Sequence, residues 1–330
     1  VWTIVIPLLV TYLLYRYLFG KRCDKTEAIL TASDYPELDC AAFKVESGKN
    51  RLACFEYRDR EKCEGKAVVL VCHGIGCSHG NYLNRIAYFA HKGYIVVGFD
   101  ITGCGDSEGE SMVGLPQSHV DIHAVLTYME NSPEYGSLPI LLYGHSWSGF
   151  GTAAALNYGH KPAAVVSASG FNKERSIVRF QAVKMCGSLG ALTLPWIAVI
   201  ERFIFGKSAK YTAVEGINAY GGPVLIAHSK DDPTVPYDCS IAAAEGIENK
   251  NARILVYEDR GHTLSRPVAA EDVIKADIVG KPRRKLRKDE CYFKYEVDVH
   301  YHYSKKEVVF ATDEGFMDKA EEFFRAALSK

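Results

Sequence analysis

Six short apolar runs punctuate the chain, at residues 66–72, 94–99, 139–143, 163–168, 223–227 and 252–257, and helix-length segments separate them. Runs of this kind are apolar at successive positions, so both faces of each strand are expected to be buried, as in a parallel sheet flanked by helices. Residues 43–59 alternate instead, which predicts a leading pair of hairpin strands. A final helix is expected at about 313–328, and no internal repeat or low-complexity tract interrupts the series. The pattern is that of an α/β fold, a mostly parallel sheet with helices on both faces.

Three segments fall outside this rhythm. Residues 1–19 are apolar with Arg16 as the only charge, close to the ~20 residues that cross a bilayer. A transmembrane anchor is therefore expected at residues 1–22, ahead of a catalytic domain at 23–330. A signal peptide lacks a small-residue cleavage site directly after the run, and an amphipathic surface helix lacks a polar face. Lys21, Arg22 and Lys25 follow the run, which predicts a single-pass protein with its catalytic domain on the cytoplasmic side. Residues 171–219 interrupt the strand series and read as a helical cap, with Trp196, Phe203 and Phe205 expected to line an apolar pocket for substrate. Residues 266–312 carry a basic stretch at 281–288 and two alternating runs around Ser304 and Lys305, expected to form an added hairpin.

Composition narrows the partners. The 330 residues carry a net charge of −1, so the whole-molecule field recruits no polyanion, and no nucleic-acid motif accompanies the basic stretch. Ten cysteines lie scattered with no CxxC pair, which favours free thiols and a reducing compartment. Cys72, His73, Cys77 and His79 in "CHGIGCSH" are zinc-type residues, but the glycines at 74 and 76 mark a loop with another use, and no metal is expected.

The chemistry begins at "LLYGHSWSGFG", residues 141–151, where a buried strand stops on Ser146 and a run of small residues opens a helix. Small neighbours let strand and helix approach across a strained turn that pushes the hydroxyl out at the carboxyl edge of the sheet. Serine needs a base, and the base needs a partner to orient it. His262 follows the last core strand in "EDRGHTL", and Asp232 follows the strand at 223–227 in "AHSKDDPTVP", with Asp231 as the second choice of acid. The amide of Trp147, at the start of the helix, is free to receive an oxyanion.

With these residues in place the chain resembles the α/β-hydrolase superfamily, in the branch of monoacylglycerol-lipase-like and serine-aminopeptidase-like serine hydrolases. The resemblance covers residues 43–265 and the terminal helix. "HGIG" at 73–76 is similar to the family's oxyanion loop, which implies that the amide of Ile75 joins that of Trp147. "DITGCGDSEG" at 100–109 resembles a family turn, with Thr102 standing where arginine is usual, which leaves open how that turn is braced. The implied triad is again Ser146, Asp232 and His262. The expected activity is cofactor-free hydrolysis of carboxylic esters with an apolar, lipidic acyl chain, on a protein attached to the membrane through its amino-terminal helix. Amide or peptide cleavage, acyl transfer and a noncatalytic scaffold on the same fold remain alternatives.

Overall fold

The computed structural model describes residues 2–329; Val1, which opens the expected anchor, and Lys330 lie outside them. Eight strands form one sheet: β1 (Leu38–Ser47), β2 (Asn50–Asp59), β3 (Val68–Cys72), β4 (Ile95–Phe99), β5 (Ile140–His145), β6 (Ala164–Ala168), β7 (Val224–Ser229) and β8 (Ala252–Tyr257). Their order is β1-β2-β4-β3-β5-β6-β7-β8, antiparallel from β1 through β4 and parallel beyond. Every residue of β3, β4, β5 and β6 is buried, as the unbroken apolar runs require.

Helices cover both faces. In chain order they are α1 (Trp2–Phe19), α2 (Leu83–His91), α3 (Gln117–Asn131), α4 (Trp147–Ala155), α5 (Glu174–Cys186), α6 (Leu194–Phe205), α7 (Ala213–Tyr220), α8 (Val268–Ile278), α9 (Tyr292–Tyr301), α10 (Lys306–Val309) and α11 (Glu314–Leu328). Val68, Leu70 and Val97 point into a core closed by Val125 of α3, Phe150 of α4 and Ile217 of α7. Val69, Val71 and Val96 point the other way, onto Ile86 of α2 and Phe316 and Phe324 of α11.

Two sequence expectations require correction. The apolar amino-terminal segment is a helix, but its apolar part, Ile4–Phe19, is short of a membrane span, and the one described stretch long and apolar enough is internal, Gly187–Tyr220, within which an 18-residue window has mean hydropathy 1.5 and is 22% buried. Thr11, Tyr15 and Phe19 of α1 are buried along one stripe, and the Phe19 ring meets Phe293 of α9 at 5.5 Å. A helix apolar all round reads the same in sequence whether protein or lipid covers it. The internal stretch comprises several shorter helical pieces, with Gly206 at φ +61° and the capping Thr212 in extended conformation between them. Residues 171–219 otherwise run as helices between β6 and β7.

Residues 266–312 hold α8, α9 and α10 in place of a hairpin. Beneath the alternation of aromatic and polar side chains lies a four-residue charge rhythm: Lys294 pairs with Glu290 at 3.8 Å and with Asp298, and Arg284 reaches Glu290 at 2.6 Å. On a helix, residues four apart lie on one face, where such pairs stabilise it.

The cap contains a buried acidic pair. Glu174 of α5 and Glu201 of α6 are 7% and 5% exposed, each leaves one carboxyl oxygen without a partner, and the unpartnered hydroxyl of Tyr15 is buried nearby. Burial, and then the neighbouring Glu201 carboxyl, push the Glu174 carboxyl well above its ordinary range.

Candidate active site

Ser146 occupies the corner between β5 and α4 with φ 59° and ψ −118°, a conformation a non-glycine residue adopts only under constraint. Close packing supplies that constraint. A Cβ on Gly144 would sit 2.1 Å from the Ser148 carbonyl oxygen, and one on Gly149 2.6 Å from that of Ala168. The Ser146 amide donates to Ala168 O at 2.8 Å, tying the corner to β6. Ser148 donates its hydroxyl to His73 O at 2.6 Å, which fastens α4 to the end of β3.

The corner faces two loops from the same sheet edge. His262, in the loop beyond β8, brings Nε2 to 2.9 Å from Ser146 Oγ and Nδ1 to 2.7 Å from Asp232 Oδ2. Asp232 is 5% exposed, and its Oδ1 accepts from the amides of Thr234 and Val235 at 2.8 and 2.9 Å. Burial alone would raise this carboxyl; the facing His262 ring and the Val235 amide outweigh it and hold Asp232 below the usual carboxylate range. Asp231 turns elsewhere, accepting from Ser229 Oγ at 2.6 Å and the Gly261 amide at 2.8 Å. It shapes the loop that carries His262. That loop is pinned further by Arg260, which donates to both oxygens of Asp313 at 2.8 and 2.7 Å.

The two expected oxyanion donors lie at this corner. Trp147 opens α4, so its amide is among the donors a helix leaves unpaired at its start. Its indole nitrogen donates to Leu115 O at 2.7 Å, which fixes the residue. Ile75 follows Gly74, whose Cβ, were there one, would lie 3.3 Å from Ser146 Cβ. In the same loop His73 Nδ1 donates to Gly74 O at 2.8 Å while Nε2 accepts from the Ile101 amide at 3.0 Å, and His79 Nδ1 meets Asp100 Oδ1 at 2.9 Å. These histidines are spent on holding the loop.

The turn that lacks its arginine is braced from far away in sequence. Arg22 donates to Ser107 O at 2.6 Å, to Gly109 O at 3.0 Å and to Gly105 O. Thr102 turns to Asp121 instead, through its amide at 2.7 Å and its hydroxyl at 3.0 Å. Among the cap aromatics, Trp196 and Phe205 are half-buried and Phe205 lies against Gly114, but Phe203 is 85% exposed and lines no pocket. On a helix bearing apolar residues on several sides, sequence spacing does not say which side faces the sheet. The sequence placed Arg22 only among the basic residues that follow the amino-terminal apolar run, gave no role to Tyr82 or Ser169, and gave none to His145 beyond its place beside the serine.

The family described as serine aminopeptidase, S33, matches residues 64–214, the stretch that contains the oxyanion loop and the serine corner. Over that stretch the chain resembles the serine hydrolases of the α/β-hydrolase superfamily. The chain is 27% identical over 194 residues to a lysophosphatidylserine lipase, ABHD12, of Danio rerio, covering 55% of this chain and 47% of that protein. It is 35% identical over 85 residues to the human monoglyceride lipase, covering 26% and 28%. The chain thus spans less than half the length of these curated relatives. Among solved structures, Est1E from Butyrivibrio proteoclasticus shares the fold with a TM-score of 0.54 at 15% identity, over 88% of this chain and 99% of that one. An esterase of Pyrococcus furiosus does so with 0.53 at 19%, over 76% and 91%.

Proposed function

We propose that the protein hydrolyses carboxylic esters with an apolar acyl chain through an acyl-enzyme. The observation that carries this reading is the unbroken chain of hydrogen bonds from Ser146 Oγ through His262 to Asp232, at 2.9 and 2.7 Å, on one edge of the sheet. Ser146 Oγ attacks the ester carbonyl carbon while its proton passes to His262 Nε2. The tetrahedral oxyanion is held by the amides of Ile75 and Trp147. As the C–O bond breaks, His262 returns the proton to the departing alcohol. Water then attacks the acyl carbon, gives its proton to His262, and frees the acid when Ser146 recovers that proton. Asp232 holds the imidazole in the required tautomer and offsets its positive charge. The sequence requires no cofactor for these steps.

The apolar composition of α6 and the names of two relatives, both lipases, support a lipidic acyl group. The aminopeptidase description of the matching family favours amide cleavage as a second reading. Among the described residues nine cysteines are free, which supports a reducing compartment and a catalytic domain facing the cytoplasm.

The test is a panel of p-nitrophenyl esters from acetyl to dodecanoyl, with aminoacyl amides, on wild type and Ser146→Ala. Ester turnover should exceed amide turnover and peak at a medium or longer chain, and the substitution should reduce kcat by about 10⁴ to 10⁶. Retention of more than a tenth of the activity by Ser146→Ala would remove the serine from the mechanism. Preference for an amide would transfer the reading to peptidase chemistry.

A further inference from the structure

His262 stands in a loop, after Gly261 at φ +61°, so no strand or helix fixes its backbone. Its carbonyl oxygen is nevertheless held twice. Ser169 Oγ donates to it at 2.7 Å, and His145 Nε2 lies 3.0 Å away. A carbonyl only accepts, so His145 Nε2 must carry the hydrogen. Its Nδ1 therefore presents a lone pair, and the Tyr82 hydroxyl, 2.6 Å from it, must be the donor. The chain has one polarity: Tyr82 O–H to His145 Nδ1, then His145 Nε2–H to the carbonyl of His262.

We propose that Tyr82 and His145 are positioning residues for His262, the phenol selecting the His145 tautomer whose N–H anchors the backbone of the catalytic base. This rests on the reading of Ser146, His262 and Asp232 as the triad.

The surroundings match the role. Tyr82 follows the oxyanion loop in the chain, and its hydroxyl lies 2.8 Å from where a Gly74 Cβ would be, so one side chain touches both the oxyanion loop and the anchor of the base. The His145 and His262 rings stand with centroids 4.9 Å apart. A proton on His145 would oppose the positive charge His262 gains during the reaction. The structure withholds that proton. Burial, then His262, then Arg85 from α2, and Arg266 before α8, all disfavour a charged His145 and hold its basicity well below an ordinary histidine's. Arg85 also stacks over the Tyr82 ring at 4.4 Å and donates to Ser265 Oγ at 2.6 Å, tying the phenol to the far side of the His262 loop. The Tyr82 hydrogen bond adds to this, because Nδ1 cannot take a proton while it accepts one.

The test compares Tyr82→Phe, His145→Gln and His145→Leu with wild type, following kcat and KM on a soluble ester, the rate of fluorophosphonate labelling of Ser146, and thermal melting. Tyr82→Phe removes one oxygen and should lower kcat and the labelling rate together by about tenfold with little change in KM, because alignment and not binding is lost. Its acidic limb should steepen at the low-pH end, since without the phenol His145 Nδ1 is open to a proton beside His262. Gln at 145 can still donate to the carbonyl and accept from Tyr82 but cannot titrate. It should retain most of the activity and the wild-type limb, whereas Leu, of similar size, should fall at least as far as Tyr82→Phe. Equal rates for Gln and Leu, or wild-type kcat and pH profile in Tyr82→Phe, overturn the proposal. So does a lowered melting temperature with an unmoved pH profile, which assigns the chain to stability alone. Ser146→Ala and His262→Ala run in parallel: if either keeps its activity, the triad reading fails and not merely this anchor.

Discussion

Two adjacent aspartates, Asp231 and Asp232, could each serve as the acid behind His262, and exchanging each for asparagine separates their roles. Asp232 Oδ1 is engaged by the amides of Thr234 and Val235, so an asparagine there keeps its oxygen on those donors and turns its NH₂ toward His262. The NH₂ donates to Nδ1 at the 2.7 Å position now held by the carboxylate, and the ring hydrogen must move to Nε2. His262 would then donate to Ser146 Oγ where it should accept. The buried charge that offsets the imidazolium is lost as well; breaking such a pair costs about 3–5 kcal/mol. At 1.36 kcal/mol per tenfold, that alone is roughly 10² to 10⁴ in rate, and the wrong tautomer moves the expectation to the upper end. Asp231→Asn keeps an oxygen for Ser229 Oγ and the Gly261 amide, so its loss should stay within about fivefold. The assay is kcat/KM on a soluble p-nitrophenyl ester at pH 8, with folding checked by melting. A Asp232→Asn enzyme within tenfold of wild type, or a costlier Asp231→Asn, would refute the reasoning.

Two further outcomes follow from groups outside the proposed triad. Glu174 has a raised folded-state pKa, so the stability it contributes is present below the unfolded value near pH 4.5 and is lost as pH rises toward the folded one. Glu174→Gln should therefore melt with wild type at pH 5 and several degrees above it at pH 8; a constant difference across that range would refute the assignment. Arg22→Ala removes a guanidinium shared by three carbonyls and should cost about 2–4 kcal/mol in denaturant unfolding, with kcat changed far less than by Asp232→Asn.

Where burial is symmetric the sequence was readable. The strands at 68–72 and 140–145 are apolar on both faces because helices cover both. The serine corner was readable for a related reason: Gly144 and Gly149 stand where a Cβ meets backbone, so the packing constraint is written as residue identity. His262 and Asp232 were singled out by position after a strand, and the structure brings both into one hydrogen-bond chain with Ser146. What stayed hidden depends on partners distant in the chain. That the Phe19 end of α1 packs on protein depends on Phe293, more than 270 residues away, while Ile4, Leu9 and Leu13 stay exposed, and within α9 the Lys294–Asp298 pair lies beneath an alternating surface pattern. Phe203 was misplaced because an apolar helix does not declare its inward side. The Tyr82–His145 chain spans 63 residues, and only three dimensions bring its parts together.

Ser148 stands where a search for this corner written as Gly-x-Ser-x-Gly would demand glycine. Its side chain is completely enclosed, yet its one polar atom finds the His73 carbonyl. The fifth place of such a signature is therefore a rule about volume and about the fate of a hydroxyl, not about glycine. Alanine should fit by size alone, and serine fits because an acceptor waits for it. Threonine would add a methyl group to a filled space, and cysteine a larger atom with a weaker donor. Signatures rewritten in those terms would admit chains that a letter-by-letter pattern discards.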